Sequence, residues 1–543
     1  MRVLGFLGIC IVWGTSTLVG GAAWAGEDAP DQNAGPSGWR VTALQAEQPL
    51  LPALIGNPAA AITRVRIDVE GDAVESLEAR AFAVRLGAET KQASLASAEV
   101  FYTGASAGLD VRQLVGASRF GSLQPAKRMI FEGRQKLTKG ANYFWMSYTL
   151  RPEADLESYV DAVVESVEFS DGTSRKIAAT ESRKGQRIGV ALRKAGDDEV
   201  STYRIPGLTT TNSGALIAVY DVRRRSGRDL PGDIDIGMSR SVDGGQSWEA
   251  MKIVLDMGAD PQHGYDGVGD PAVLFDPQTN TIWVAGLWSH GNRGWSGSGA
   301  GLEPDETGQL MMVCSKDDGV TWSEPRNVTP QVKRPEWCLL LQGPGKGIAM
   351  RDGTLVFAAQ FQDVPQAQRL PRSTVLYSTD HGDSWQIGAG AFDDTTEAQV
   401  IELEPGRLML NARYNRAPRR VVMITDDLGK TWREHPTSRN ALVEPGACMA
   451  SLIHVDHDAG DPQGRRLLFS NPQSEQRREN MTLQLSLDGG ETWPEDSRLL
   501  LDAGRSAGYS CLTMIDRETV GILYEGSQSH LTFQRIRLQE LQN

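Results

Sequence analysis

Short runs of alternating apolar and polar residues extend along most of the chain, separated by turns rich in Gly, Asp and Asn. ALIAVYDV (215–222) and TIWVAGLW (281–288) follow this pattern. Alternation with a period of two is typical of β-strands, because successive side chains point to opposite faces of a sheet. The pattern predicts an all-β protein. It is equally clear in the first part of the chain, in the segments ITRVRIDVEG (62–71), EARAFAVRL (78–86), AEVFYTG (98–104), NYFWMSYTL (142–150) and AVVESVEFSDG (162–172).

One phrase, [ST]-x-D-x-G-x-[ST]-W, occurs five times after residue 240. The copies begin at residues 241, 315, 378, 425 and 486, at intervals of 74, 63, 47 and 61 residues. Such intervals are typical of propeller blades of about four strands each. Residues 196–543 divide into six such units, which predicts a six-bladed β-propeller whose sixth blade is built from both ends of the region.

The repeated phrase has a structural and a catalytic interpretation. Its Asp can accept backbone N–H bonds in a tight turn, its Gly can take a positive φ, and its Trp can pack between neighbouring sheets. One active site does not need five identical copies, whereas five hairpins do. We therefore interpret the phrases as structural.

The phrase is missing from the region before residue 196. Residues 26–195 are predicted to form a separate β-sandwich domain, with the charged segment 181–200 as the link. Two roles stay open for this domain: a carbohydrate-binding module or a passive packing domain. A chain of 543 residues is also long for one core and favours two domains.

Residues 1–25 are expected to be a signal peptide. Arg2 precedes an apolar run, and Ala23-Trp24-Ala25 offers a cleavage site near Ala25. We therefore expect a periplasmic or secreted protein without a stable membrane span. Oxidising compartments permit disulfides, but buried free thiols are an equal alternative for the four later cysteines, which are Cys314, Cys338, Cys448 and Cys511.

The net charge of −14 argues against a nucleic-acid partner, whose phosphates an acidic surface repels. An anionic ligand would need a local basic pocket.

The segment TYRIPGL (202–208) places an arginine at the start of the repeat region. Together with the five Asp-box phrases, it resembles the bacterial exo-α-sialidase (neuraminidase) family with Asp-box (BNR) repeats. Further segments carry the resemblance: GDPA (269–272), HGNRGW (290–295), EAQVIEL (397–403), NARYN (411–415) and GYSCLTMIDRETVGILYEG (508–526).

The resemblance implies that three arginines bind the substrate carboxylate: Arg204, Arg413 and Arg478. Sialic acid carries a carboxylate on its anomeric carbon, and guanidinium groups bind carboxylates through charge-assisted hydrogen bonds. Arg477 is an alternative to its neighbour Arg478. Glu525 resembles the carboxylate that orients the first of these arginines.

The resemblance also implies the catalytic residues. Tyr509 matches the nucleophile and Glu397 its base, which a phenol with a pKa of about 10 needs at neutral pH. Asp229 matches the general acid by its spacing from Arg223. Asp233 and Asp235 are the alternatives.

Four residues are implied to contact the rest of the sugar. Arg223 and Asp270 resemble the residues that bind the O4 hydroxyl. Trp288 and Trp295 resemble the apolar pocket around the N-acetyl methyl. A place in the blade core is an equal alternative for Trp288.

The resemblance therefore implies an exo-α-sialidase that hydrolyses terminal α-linked sialic acid with retention, through a tyrosyl intermediate. Its partners would be sialylated glycoproteins, glycolipids or oligosaccharides, and no metal or other cofactor is expected. Two alternatives stay open: a trans-sialidase that forms transfer or anhydro products, and a non-catalytic propeller that binds sialoglycans. The presence of Tyr509, Glu397 and Asp229 favours an enzyme.

Overall fold

A computed structural model describes residues 38–71, 77–109, 119–178, 185–258, 266–363, 370–416, 418–455 and 465–542. The predicted signal peptide, residues 1–25, lies outside these ranges. Regular structure in the described chain is almost entirely strand, so the predicted all-β fold is confirmed. The helical elements there are short: an α-helix at Thr329–Val332 and 3₁₀ turns at Gln92–Ser94, Asp197–Glu199, Glu495–Ser497 and Leu538–Leu541.

Two antiparallel sheets face each other in the N-terminal part. The rings of Phe82 and Phe144 pack between them, with centroids 4.9 Å apart. One sheet has the strand order Trp39–Glu47, Ala60–Gly71, Gly140–Leu150, Leu95–Gly104 and Arg119–Leu123. The other has the order Ser174–Lys176, Ala162–Phe169, Glu78–Leu86 and Arg128–Lys136.

Six further sheets follow in the described residues, named here the first to the sixth sheet in chain order. The first contains Thr202–Thr210, Leu216–Arg223, Ile234–Ser241 and Lys252–Leu255. The second contains Gly267–Asp276, Thr281–Ser289, Gln309–Ser315, Arg326–Asn327 and Gly345–Lys346. The third contains Leu339–Gln342, Ile348–Ala349, Leu355–Gln362, Arg372–Ser378 and Gln386–Ile387.

The fourth and fifth sheets are antiparallel, and the sixth is antiparallel except for one parallel pair of strands, Ala53–Ile55 with Gln186–Arg193. The fourth contains Thr395–Glu404, Arg407–Tyr414, Val421–Thr425 and Arg433–Glu434. The fifth contains Ser451–His454, Leu467–Pro472, Glu479–Ser486 and Arg498–Arg505. The sixth contains Ser510–Met514, Thr519–Tyr524, Leu531–Arg537, Gln186–Arg193 and Ala53–Ile55, with Tyr159–Val160 paired at one edge.

The inner strands of these sheets contact one another in cyclic order. Thr202–Thr210 of the first sheet contacts both Gly267–Asp276 of the second and Ser510–Met514 of the sixth. The sheets thus form a closed ring. The six-blade count stays a prediction, which this arrangement supports.

The sixth sheet combines strands from both ends of the described chain. Gln186–Arg193 pairs with the C-terminal strand Leu531–Arg537. Gln186–Arg193 lies within the range 26–195 predicted for the N-terminal domain, yet it hydrogen-bonds into the ring. A shared apolar core also joins the N-terminal sheets to the first and sixth sheets.

The five repeated phrases adopt one turn geometry. In the first copy, the carboxylate of Asp243 accepts bonds from the Ser241 hydroxyl at 2.8 Å and from the Ser247 N–H at 3.0 Å. Gly245 has a φ of 90°, which L-residues with a side chain rarely adopt. The same bonds recur around Asp317, Asp380, Asp427 and Asp488.

The tryptophan of each phrase packs toward the preceding sheet. The ring of Trp248 in the first sheet meets Phe533 of the sixth at 5.1 Å between centroids. Trp385 of the third sheet meets Trp283 of the second at 6.1 Å. The phrases therefore connect neighbouring sheets, as the structural interpretation predicts.

Candidate active site

The inner strands open into a cavity at one end of the ring. It encloses about 460 Å³. The first repeated phrase, which begins at Ser241, lies away from this cavity. Leu216 pairs with both Thr210 and Ser241, so the phrase is at the opposite end of the strand Thr202–Thr210 from Arg204. The lining is drawn from every sheet of the ring and consists of Arg204, Ile205, Asp229, Leu230, Asp270, Leu287, Trp295, Leu341, Gln360, Thr396, Glu397, Arg413, Asn415, Arg478 and Tyr509.

Irregular strand starts bring three of these side chains to the cavity. The ladder register shifts between Arg204 and Gly207, between Gly269 and Ala272, and between Thr395 and Ala398. Such bulges bend a strand and re-aim a side chain, and they are frequent beside active sites. Arg204, Asp270 and Glu397 lie at these bulges.

Tyr509 and Glu397 form the centre of the site. The Tyr509 hydroxyl donates to Oε1 of Glu397 at 2.5 Å, and Nη1 of Arg413 donates to the same hydroxyl at 3.1 Å. The tyrosine side chain is only 5% exposed. Burial, and then the neighbouring Glu397 carboxylate, raise the pKa of Tyr509 well above its usual value of 10, so the phenol is protonated at neutral pH.

Three guanidinium groups surround this tyrosine. The Cζ atoms of Arg204 and Arg478 lie 5.3 and 5.5 Å from the centroid of the Tyr509 ring. Arg413 forms an ion pair with Glu397 at 2.7 Å. The three positively charged groups are close enough together to contact one monosaccharide. Guanidinium groups are suited to bind a carboxylate on such a sugar.

Arg478 is held in a different way from the other two arginines. Its Nη1 and Nη2 donate to the carbonyl oxygens of Ala507 and Ala447 at 2.8 and 2.6 Å. Within the described ranges it forms no ion pair with a carboxylate. Its charge is therefore uncompensated by a nearby carboxylate, which favours binding an external anion.

Glu525 fixes both Arg204 and Tyr509. Its Oε1 accepts bonds from Nε of Arg204 at 2.5 Å and from the Ile205 N–H at 3.0 Å, and its Oε2 accepts from the Tyr509 N–H at 2.9 Å. Burial alone would raise the pKa of Glu525, but Arg204 and these donors outweigh burial and lower it. Glu525 is 2% exposed and lies behind the cavity wall.

Asp229 lies at the rim, with its side chain 76% exposed. It forms an ion pair with Arg223, which is itself 1% exposed. Arg223 also donates to Asp221 at 2.8 Å and to the Gly227 carbonyl at 2.9 Å. Arg223, implied by the resemblance to contact the substrate, is buried behind Asp229 and is not among the residues that line the cavity.

Asp221 is a site residue that the sequence analysis missed. Its Oδ1 accepts from the Asp270 N–H at 2.9 Å, while its Oδ2 accepts from Arg223. Asp270 lines the cavity, and burial together with Asp221 and Asp229 raises its pKa well above the usual range. Asp221 stands in an alternating strand segment, where its carboxylate gives no local signal of this role.

The structure places Trp295 and Trp288 in different surroundings. Trp295 lines the cavity and is 41% exposed. Trp288 packs against the apolar core between the first and second sheets, with its ring 5.3 Å from His290. Trp288 is half-buried against the blade core and is not among the residues that line the cavity, which agrees with the alternative left open by the sequence.

The residues considered as alternatives to Asp229 and Arg478 are not among those that line the cavity. Asp233 pairs with Arg225 at 3.0 Å, and Asp235 accepts from Arg224 at 2.7 Å. Arg477 is exposed and does not line the cavity. Further lining residues that the sequence analysis did not name are Ile205, Leu230, Leu287, Leu341, Gln360, Thr396 and Asn415.

No disulfide joins the four cysteines that the structure describes. Within the same ranges, no helix has the length and apolar character needed to cross a membrane.

The chain matches two family models. Residues 214–522 match the BNR repeat-like domain, and residues 42–173 match the N-terminal domain of BNR-repeat neuraminidase. The first of these covers more than half of the chain. Both agree with the described N-terminal sheets and ring.

Sequence and structure comparisons point to the same relatives. The chain is 48% identical over 423 residues to a sialidase of Bacteroides fragilis, covering 77% of each protein. It is 33% identical over 337 residues to a sialidase of Micromonospora viridifaciens, covering 61% of this chain and 50% of that protein. A Hadza microbial sialidase structure superposes with a TM-score of 0.83 at 44% identity, covering 91% of this chain and 99% of that one. The chain therefore belongs to the BNR-repeat sialidase family of glycoside hydrolases.

Proposed function

We propose that this exo-α-sialidase cleaves terminal α-linked sialic acid with retention, through a covalent intermediate on Tyr509. The observation that carries the proposal is the bond between the Tyr509 hydroxyl and Glu397, with three guanidinium groups around it. A nucleophile–base pair beside a carboxylate-binding cluster is what this chemistry requires.

The first step uses the three arginines and three catalytic side chains. Arg204, Arg413 and Arg478 hold the sugar carboxylate. The Tyr509 oxygen attacks the anomeric carbon as its proton passes to Glu397. The bond to the leaving oxygen breaks, and Asp229 gives that oxygen its proton.

The second step restores the enzyme. Asp229, now a carboxylate, takes a proton from a water molecule that attacks the anomeric carbon. The bond between the sugar and Tyr509 breaks, and Glu397 returns the proton to the phenolic oxygen. Two displacements at one carbon give net retention.

A neutral phenol suits this substrate for an electrostatic reason. The anomeric carbon carries a carboxylate, which would repel an approaching anionic nucleophile. Because the pKa of Tyr509 is raised, the phenol approaches uncharged and loses its proton only during attack.

The direct test is release of free sialic acid from 4-methylumbelliferyl sialoside, with retention followed by NMR of the first-formed anomer. Product analysis of sialyllactose cleavage with and without added lactose separates hydrolysis from transfer and from an anhydro product. Binding of sialoglycans without any product would instead support the non-catalytic alternative.

We also propose that the natural substrates are sialylated glycoproteins, glycolipids or oligosaccharides met outside the cytoplasm. The charged start, apolar run and small-residue site before residue 26 support export. Cell fractionation of the expressed full chain, with N-terminal sequencing of the exported form, tests this directly.

A further inference from the structure

We propose that Leu230 is the anchor that positions the general acid Asp229, an inference that rests on the proposed function. Residues 225–233 connect two strands of the first sheet and are named here the acid loop. Asp229 cannot be placed by packing of its own side chain, which is 76% exposed. Its carboxylate forms an ion pair with the buried Arg223, and the backbone that carries it must be held by neighbouring parts of the acid loop.

Leu230 is the one partly buried side chain between residues 225 and 231, since the six others are exposed. It packs against an apolar cluster formed by Leu287 of the second sheet and by Leu339 and Leu341 of the third. The tip of the acid loop is therefore held by sheets other than its own.

Two glycines of the second-sheet region let the acid loop approach closely. A Cβ atom on Gly267 would lie 2.0 Å from the Gly232 carbonyl oxygen and 2.7 Å from Cδ2 of Leu230. A Cβ atom on Gly294 would lie 3.1 Å from the Leu230 carbonyl oxygen. The lack of side chains at Gly267 and Gly294 thus leaves room for the loop backbone on both sides of the Leu230 side chain.

The base of the acid loop is fixed separately. The Arg224 N–H donates to the Asp233 carbonyl at 3.0 Å, and Arg223 donates to the Gly227 carbonyl at 2.9 Å. These bonds hold the two ends of the acid loop and its first half. Leu230 supplies the anchor next to the acid itself, so its loss should free Asp229 without disturbing Tyr509 or the arginines.

Leaving-group dependence tests this role, because only poor leaving groups need a well-placed acid. Leu230→Ala should lower kcat/KM for sialyllactose by about 10- to 100-fold. For 4-nitrophenyl sialoside the loss should be no more than about 3-fold. Leu230→Met keeps most of the apolar side chain, so its ratio of the two kcat/KM values should lie closer to that of wild type than the ratio of Leu230→Ala. Equal losses on both substrates, or no loss on either, would overturn the proposal.

A second variant reaches the same loop from the other side. Gly267→Ala keeps Leu230 in the sequence but places a methyl group against both the Gly232 carbonyl and the Leu230 side chain, and it should produce the same selective loss for sialyllactose. Leu487→Ala removes an exposed leucine in the turn after the fifth-sheet strand Glu479–Ser486 and serves as the matched control. Its ratio of the two kcat/KM values should equal that of wild type.

Limited trypsin digestion gives a readout that does not depend on activity. The acid loop contains Arg225 and Arg228, and its docking should slow cleavage after them. Leu230→Ala should speed this cleavage roughly tenfold, whereas Leu487→Ala should not. Unchanged cleavage would contradict the anchor, whereas an inactive wild type with accelerated cleavage of Leu230→Ala would contradict only the proposed function.

Discussion

The Tyr509 hydroxyl and the Glu397 carboxylate share a hydrogen bond of 2.5 Å at the floor of the cavity. The other oxygen of Glu397 accepts from Arg413 at 2.7 Å. One carboxylate therefore faces both the phenol and a guanidinium group. This arrangement lets Glu397 orient an arginine and, in the proposed mechanism, take the phenol proton.

Replacing Tyr509 by Phe removes the nucleophilic oxygen and keeps the ring. We expect kcat for 4-methylumbelliferyl sialoside to fall by at least about 10³-fold, because phenylalanine has no oxygen with which to attack the anomeric carbon. Thermal unfolding should show a folded protein. Turnover within about tenfold of wild type would exclude Tyr509 as the nucleophile.

Arg478 and Arg477 offer a matched pair of neighbours. Arg478→Ala should lower kcat/KM by about 10²-fold or more, because a charge-assisted contact to the substrate carboxylate is lost. Arg477→Ala should leave kcat/KM nearly unchanged, because its exposed side chain lies outside the cavity. Steady-state kinetics on both variants would show the reverse order if the assignment were wrong.

Substitutions of Trp295 and Trp288 should have different effects on KM and stability. Trp295→Ala should raise KM by about tenfold with little change in stability, because it removes cavity wall. Trp288→Ala should destabilise the fold by on the order of 2 kcal/mol through loss of core packing, with KM near wild type. Urea titrations and kinetics on the two variants measure both effects, and a KM effect confined to Trp288 would oppose this placement.

Glu525 should make stability depend on pH in acid. Its pKa is lowered from 4.5 in the folded state, so its contribution is complete above pH 4.5 and is lost as the pH falls through the lower folded pKa. Glu525→Gln should cost on the order of 3 kcal/mol at pH 7, because it leaves Arg204 without its buried partner.

The measurement is urea unfolding of wild type and Glu525→Gln at pH 7 and at several values below pH 4.5. The difference in the free energy of unfolding should shrink as the pH falls. Glu404→Gln, in an exposed pair with Arg407, is the control and should change little. A difference independent of pH would show that the ion pair does not carry the effect.

The all-β fold could be predicted from the sequence, and candidate site residues could be named, because both leave local signals. Alternation marks the strands, five phrases mark the hairpins, and Arg204, Arg413 and Tyr509 stand in recognisable motifs. Asp221 and Leu230 left no such signal, since their roles arise from contacts across strands and sheets that residue order does not record. Trp288 was ambiguous because an aromatic side chain near a strand end suits a cavity wall and a core equally well.

The Gln186–Arg193 strand shows a related limit. Its charged flanks made it look like a linker, and its pairing with the distant C-terminal strand depends on ring closure. Long-range strand pairing is set by topology and not by local composition.

Trapping the covalent intermediate tests the central claim most directly. A 2,3-difluorosialic acid slows breakdown of the sugar–enzyme bond, so the adduct should persist for peptide mapping by mass spectrometry. We predict one sugar attached to the peptide that contains Tyr509, and no adduct in Tyr509→Phe. A stable adduct on Glu397, or turnover by wild type with no adduct on Tyr509, would contradict the account.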